Sequence, residues 1–78
     1  MFKKYRRKGF SELRELEDFE MPSVLLDAGI SVSEVDLNLS LSEFMQGKIA
    51  RNPMNHSDQW YVAKKYVDEN LELVEDTK

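Results

Sequence analysis

The chain has no cysteine, three glycines, two prolines and one histidine among its 78 residues. Without cysteine there is neither a disulfide framework nor a thiolate metal site. The three glycines are isolated, at Gly9, Gly29 and Gly47, which excludes a glycine-rich phosphate loop. One histidine without cysteines is a poor zinc set, and no Asp/Asn/Gly spacing follows the calcium-loop pattern. Neither a metal nor any other cofactor is therefore expected. No apolar run approaches the roughly 18–20 residues of a membrane span. The opening residues also lack the apolar stretch of a secretory signal. The expectation is a small soluble protein of a reducing compartment, without membrane contact.

What is present supports one modest core. Hydrophobic residues make up 41% and aromatics 10%, too much apolar content for a wholly disordered chain. A chain this short buries only about 60% of its unfolded surface, so its stability margin is thin. A single domain over residues 1–74 is expected, with 75–78 as a frayed tail. The net charge of −4 hides a block pattern. Lys3, Lys4, Arg6, Arg7 and Lys8 form a basic arm. Nine acids against the single Arg14 follow over residues 9–46. Residues 47–67 are again basic and the last eleven acidic. A basic arm beside an acidic middle reads either as a footprint for phosphate or an acidic partner, or as charges that offset each other within the fold.

Local patterns give a coarse outline. Residues 2–8 fit an extended edge segment, since five cations at a helix N-terminus oppose its dipole. Residues 11–20 look helical: Ser11 suits an N-cap, and Phe10, Leu13, Leu16 and Phe19 recur every three positions. Met21-Pro22 would end that helix. Beyond Gly29, Ile30 and Val32 alternate with serines like a short strand. Ser33 to Asp36 matches a capping box, yet Leu37, Leu39 and Leu41 alternate as in a strand. Residues 33–46 are left as a mixed loop with at most one short helix near Ser42–Gln46, closed by Gly47.

The clearest segment is 48–63. A short alternating stretch, a seven-residue polar loop at 52–58 and the β-favouring run Gln59 to Ala63 read as a hairpin. Two helical turns follow at 64–70. A rival reading runs one helix from Asp58 to Val74, with a stripe of Trp60, Ala63, Val67, Leu71 and Val74. The fold class expected is α+β: a small antiparallel sheet built on the 48–63 hairpin, with a short C-terminal helix on one face. Trp60 is the expected main core aromatic.

Several of these stretches carry a likeness. Gly47 to Pro53, then Asn55-His56, Asp58 to Trp60, Val62-Ala63, Tyr66, Asn70 and Glu72 resemble a family of very small proteins of tailed bacteriophages and prophages. Its Lys-Tyr-Arg-Arg-Lys opening ahead of Glu-Leu-Arg is similar to Lys4–Lys8 and Glu12 to Arg14, and its middle to Ile30–Glu34. The chain departs from the family between Val35 and Gln46, where leucines stand in place of a linker. The resemblance implies a phage gene product acting in a bacterial cytoplasm, and it favours the hairpin. It implies no chemistry.

The residues themselves argue against catalysis. His56 has Asn55, Ser57 and Asp58 as neighbours, a set that closes turns more readily than it positions a proton transfer. Arg51, Asn55, His56 and Tyr61 are instead candidate partner contacts, since Arg and Tyr are enriched at interface hot spots. The function expected is a non-enzymatic phage accessory protein that binds a host or phage protein. The alternative is a nucleic-acid-binding accessory protein that uses the basic arm with Tyr5. A DNA mimic built on the acids of 12–36 ranks below both, because −4 is a mild charge for mimicry.

Overall fold

Each strand of this chain is too short to stand alone, so the sheet is defined by which strands find one another. The computed structural model describes residues 2–6 and 10–73. The chain runs β1 (Lys3–Arg6), β2 (Phe10–Glu15), α1 (Pro22–Asp27), α2 (Glu34–Leu37), α3 (Leu41–Phe44), β3 (Lys48–Asn52), β4 (Asn55–Val62), α4 (Lys64–Asn70) and β5 (Glu72–Leu73). The sheet is antiparallel throughout, in the order β4-β3-β2-β1-β5. The architecture is thus a small α+β domain. Arg7 and Lys8 of the basic arm and the tail expected at 75–78 lie outside the described residues.

Local expectation fails most clearly at β2. Residues 10–15 are strand, not the first turns of a helix. Leu13 faces Ala50 on one side and Lys3 on the other, and pairing on both edges outweighs weak helical propensity. The hairpin therefore lies beside the centre of the sheet, and β2 occupies it. Pro22 opens a helix instead of ending one, since proline at the first helical position gives up no hydrogen bond. Gly29 closes α1 with φ +82°. The Ile30 amide donates to the Leu25 carbonyl and the Gly29 amide to that of Leu26, a Schellman closure.

Residues 33–46 form two short helices where one was expected. Ser33 Oγ accepts from the Asp36 amide, and Ser40 Oγ from the Glu43 amide. The leucine alternation spans the break between the two helices. Beyond β3, the polar loop shrinks to Pro53-Met54, because β4 already starts at Asn55. The side chain of Asn52 accepts from the Met54 amide at 2.8 Å, closing the turn locally. The register slips between Arg51 and Asn52, so β4 bulges there. Residues 58–62 belong to β4, so no continuous helix runs from Asp58.

Side-chain alternation sends neighbours on β3 to opposite faces. Ile49 joins Leu25, Ile30, Phe44 and Tyr61 under α1–α3, whereas Ala50 joins Leu13 and Val67 under α4. The first cluster is the larger, and Tyr61 is its aromatic anchor. Trp60, the aromatic expected to be the core, is only half-buried. It lies on the α4 side, where a seven-residue helix gives thinner cover. The Tyr61 ring stacks on Phe44 with centroids 4.1 Å apart and planes at 6°. A methyl group on Gly47 would approach the Tyr61 hydroxyl to 2.2 Å. That ring is stacked and buried and cannot retreat cheaply. Gly47→Ala is therefore expected to destabilise the protein by about 1–3 kcal/mol through overpacking. Urea denaturation would check it, and wild-type stability would show that the ring swings aside.

The turn after β2 is held by a buried acid. Glu20 accepts from both Arg14 guanidinium nitrogens, at 2.7 and 2.9 Å, and from the Glu17 amide at 2.8 Å. The Arg14 hydrogen bond chiefly holds the Glu20 carboxyl below its ordinary value of 4.5, against the opposing effect of burial. Folded-state depression means that Glu20 contributes its full stability above that ordinary value. The contribution is lost as pH falls through 4.5 toward the lower folded-state value. Glu20→Gln should therefore flatten the acid side of a stability–pH curve; an unchanged acid limb would contradict this.

Candidate functional site

Three adjacent strands build a charged ladder on the face that carries α1–α3. Lys4 lies opposite Glu12, and Glu12 lies opposite Arg51. Arg51 Nε donates to Glu12 Oε1 at 2.7 Å. His56 Nε2 lies 3.6 Å from the same oxygen. Beneath them the Phe2 ring supports both arginines, with Arg51 Cζ 4.0 Å and Arg14 Cζ 5.6 Å from its centroid. Such stacking of guanidinium on an aromatic face is attractive where water is partly excluded.

This geometry brings Arg51 and His56 together and separates them from Tyr61. Arg51 is committed to Glu12 and Phe2, so its first role is to hold the sheet. Asn55 and His56 are exposed at the hairpin tip. Asn55 Oδ1 accepts from the Ser57 hydroxyl at 2.7 Å, and the His56 carbonyl accepts from the Gln59 side chain at 2.9 Å. These bonds close the tip on itself. Ser57, the nearest hydroxyl in sequence, gives its proton to Asn55 and not to His56.

Tyr61 is not a contact residue. It is 4% exposed, and its hydroxyl donates to the Phe44 carbonyl at 2.7 Å. Burial, followed by the nearby Asp36 charge, pushes the phenol up to about 12. The parity of the strand puts one of Trp60 and Tyr61 inward, and the deeper cover from α1–α3 selects Tyr61.

Of the basic arm, Lys3, Lys4 and Arg6 form β1, paired on one side with β2 and on the other with β5. Lys3 shares a cleft of about 390 Å³ with Tyr5, Arg14, Glu15, Glu17 and Lys48. Glu15 also lies 3.8 Å from Lys48. Cations and acids alternate there.

The exposed apolar side chains went unread in the sequence. Met54 is 91% exposed, Val35 76%, Phe19 64% and Leu41 56%. Val35, Leu37 and Leu41 fall on or next to one another in α2 and α3. The capping pair Ser40–Glu43 was the available signal. With two capped short helices here, Val35 and Leu41 enter first turns and stay exposed.

Near them lies a groove of about 350 Å³ around the outer edge of β4, lined by Ser33, Val35, Asp36, Trp60 and Tyr66 among others. Among the described residues no cluster of three or more His, Asp or Glu comes together to hold a metal ion. Nor is any helix there long and apolar enough to cross a membrane. No family model, curated protein or solved structure matches the chain.

The ladder predicts a contrast between two neighbours. Arg51→Ala leaves Glu12 without its closest donor and uncovers Phe2, and should cost about 1–2 kcal/mol. His56→Ala, at an exposed tip, should stay within about 0.5 kcal/mol of wild type. Thermal melts of the two variants check this; equal losses would place His56 within the supporting network.

Proposed function

We propose that this protein is a small, non-enzymatic phage accessory protein that binds another protein in the cytoplasm of an infected bacterium. One observation carries the binding part of the reading. A chain with few residues to spare for its core leaves eight large apolar side chains exposed among the described residues, including Phe19, Val35, Leu41 and Met54. Contiguous exposed apolar side chains mark contact with another protein, and Val35, Leu37 and Leu41 come close together in sequence on α2 and α3. The phage setting rests on the likeness of the Gly47–Glu72 region and of the Lys-Tyr-Arg-Arg-Lys opening. The non-enzymatic part is supported by the histidine's surroundings: its closest acid is shared with Arg51, and the adjacent serine is engaged elsewhere.

The nucleic-acid reading is weaker on the same grounds. Lys4 lies across from Glu12, and Lys48 lies beside Glu15. Phosphates would have to displace these acids, and the chain is acidic overall.

Affinity capture from a nuclease-treated bacterial lysate tests the choice, with Phe19→Asp and Leu41→Asp variants as controls. Both positions are exposed, so both variants should fold. The expected result is a discrete protein retained by the wild type and lost with at least one variant. Retention of nucleic acid alone would overturn it. So would oligonucleotide binding with a log affinity–log salt slope near −3 to −4, the value about five engaged cations give on single strands.

A further inference from the structure

We propose that the groove at the outer edge of β4 seats a cationic side chain, arginine or lysine, from an extended segment of the partner; this rests on the protein-binding reading above. The argument is one of charge and shape. Ser33, Val35 and Asp36 form one wall, at the start of α2. Trp60 and Tyr66 form the other, on β4 and α4. The lining holds one carboxylate, two aromatic rings that are partly accessible, and no base.

Asp36 accepts from the Ser33 hydroxyl at 3.0 Å, which fixes the carboxylate and leaves further acceptor positions open. Asp36 also lies near enough to Tyr61, which lines the same groove, to add to the upward displacement of its phenol. A half-buried indole lining the same groove as a fixed carboxylate can attract a cation through ring quadrupole and charge together. A cavity of about 350 Å³ is of side-chain size, at the small end of ligand sites.

Two other clefts among the described residues lack this imbalance. The one between α3 and α4 sets Lys64 and Lys65 against Glu43, Asp68 and Glu69, and Lys64 is already bound to Asp68. The one beside β1 sets Lys3, Arg14 and Lys48 against Glu15 and Glu17. Each contains its own counter-charges, so neither selects an incoming sign.

Trp60 is the only tryptophan of the chain, so its emission reports on the groove directly. The probes are four capped pentapeptides, Gly-Ser-X-Ser-Gly, with arginine, lysine, citrulline or glutamate at X. Wild-type protein should respond saturably to the arginine or lysine peptide, binding it about tenfold or more tightly than the citrulline and glutamate peptides. Asp36→Asn, which keeps an acceptor for Ser33, should weaken that binding about tenfold. Val35→Arg, at an exposed position, should abolish it by supplying a cation from the chain itself. Equal response to all four peptides, or none, overturns the inference. So does an emission change that follows protein concentration alone, which would make a second copy the occupant. A captured protein that Asp36→Asn and Val35→Arg both retain would sink the groove and leave the protein-binding reading standing.

Discussion

A charged strand at the centre of the sheet is the constraint on which the rest of this structure depends. β2 reads Phe-Ser-Glu-Leu-Arg-Glu, and both its edges are paired. Backbone pairing alone would leave Glu12 and Arg14 against the face that α1–α3 cover, and an unanswered charge there would be costly. Each is answered from a different element. Arg51 reaches Glu12 from β3, and Glu20 reaches Arg14 from the turn that follows β2. Phe2 supports both arginines from the first residues described. The Arg14–Glu20 pair has a further consequence, because Glu20 also accepts from the Glu17 amide. The chain is thereby folded back at 16–21, and α1 starts at Pro22 over the sheet instead of away from it.

How far the fold was legible follows from the range of the interactions that decide each segment. The 48–63 hairpin could be read because its information is local: valine, tryptophan and tyrosine favour strand, and Asn-Pro favours a turn. Its turn was overestimated because the polar residues 55–58 look like loop, yet Asn52, Asn55 and Gln59 side chains satisfy the bulged backbone within the strand. Residues 10–15 could not be read locally. Their threefold apolar spacing suits a short helix, and only the distant strands β1 and β3 make Leu13 a buried strand residue. The leucines at 37, 39 and 41 misled in the opposite sense, since two serine caps override an alternation that has no partner strand.

The candidate site was legible by residue type and not by position. Arg51 and His56 do meet, but through Glu12, a residue 39 positions before Arg51 that only the β2–β3 register brings there. Trp60 was expected as the core aromatic and Tyr61 as a contact, and the structure reverses them: Tyr61 is buried and Trp60 half-buried. Which is which depends on the relative thickness of two helical layers, and that is set by α1–α3, the stretch whose helices were least visible in the sequence. Leu26, Val35, Leu37 and Leu41 among the exposed apolar residues belong to the same stretch, so there the error about the elements became an error about the surface.

The outer edge of β4 shows why recognition here falls to side chains. An open edge strand invites another strand by its unpaired backbone groups. On β4 several of those groups are already engaged. Ser31 bridges to it, donating to the Gln59 carbonyl and accepting from the Tyr61 amide. Further toward the tip, Asn55 receives the Ser57 amide and Gln59 donates to the His56 carbonyl. A partner strand would have to break these bonds before forming its own, and the net gain per exchanged hydrogen bond is small. What the edge still offers is its side chains, Trp60 among them, with Asp36 held alongside by Ser33. Discrimination by a side chain's charge and shape is therefore the selectivity this edge supplies most readily, and strand addition is the one these bonds oppose.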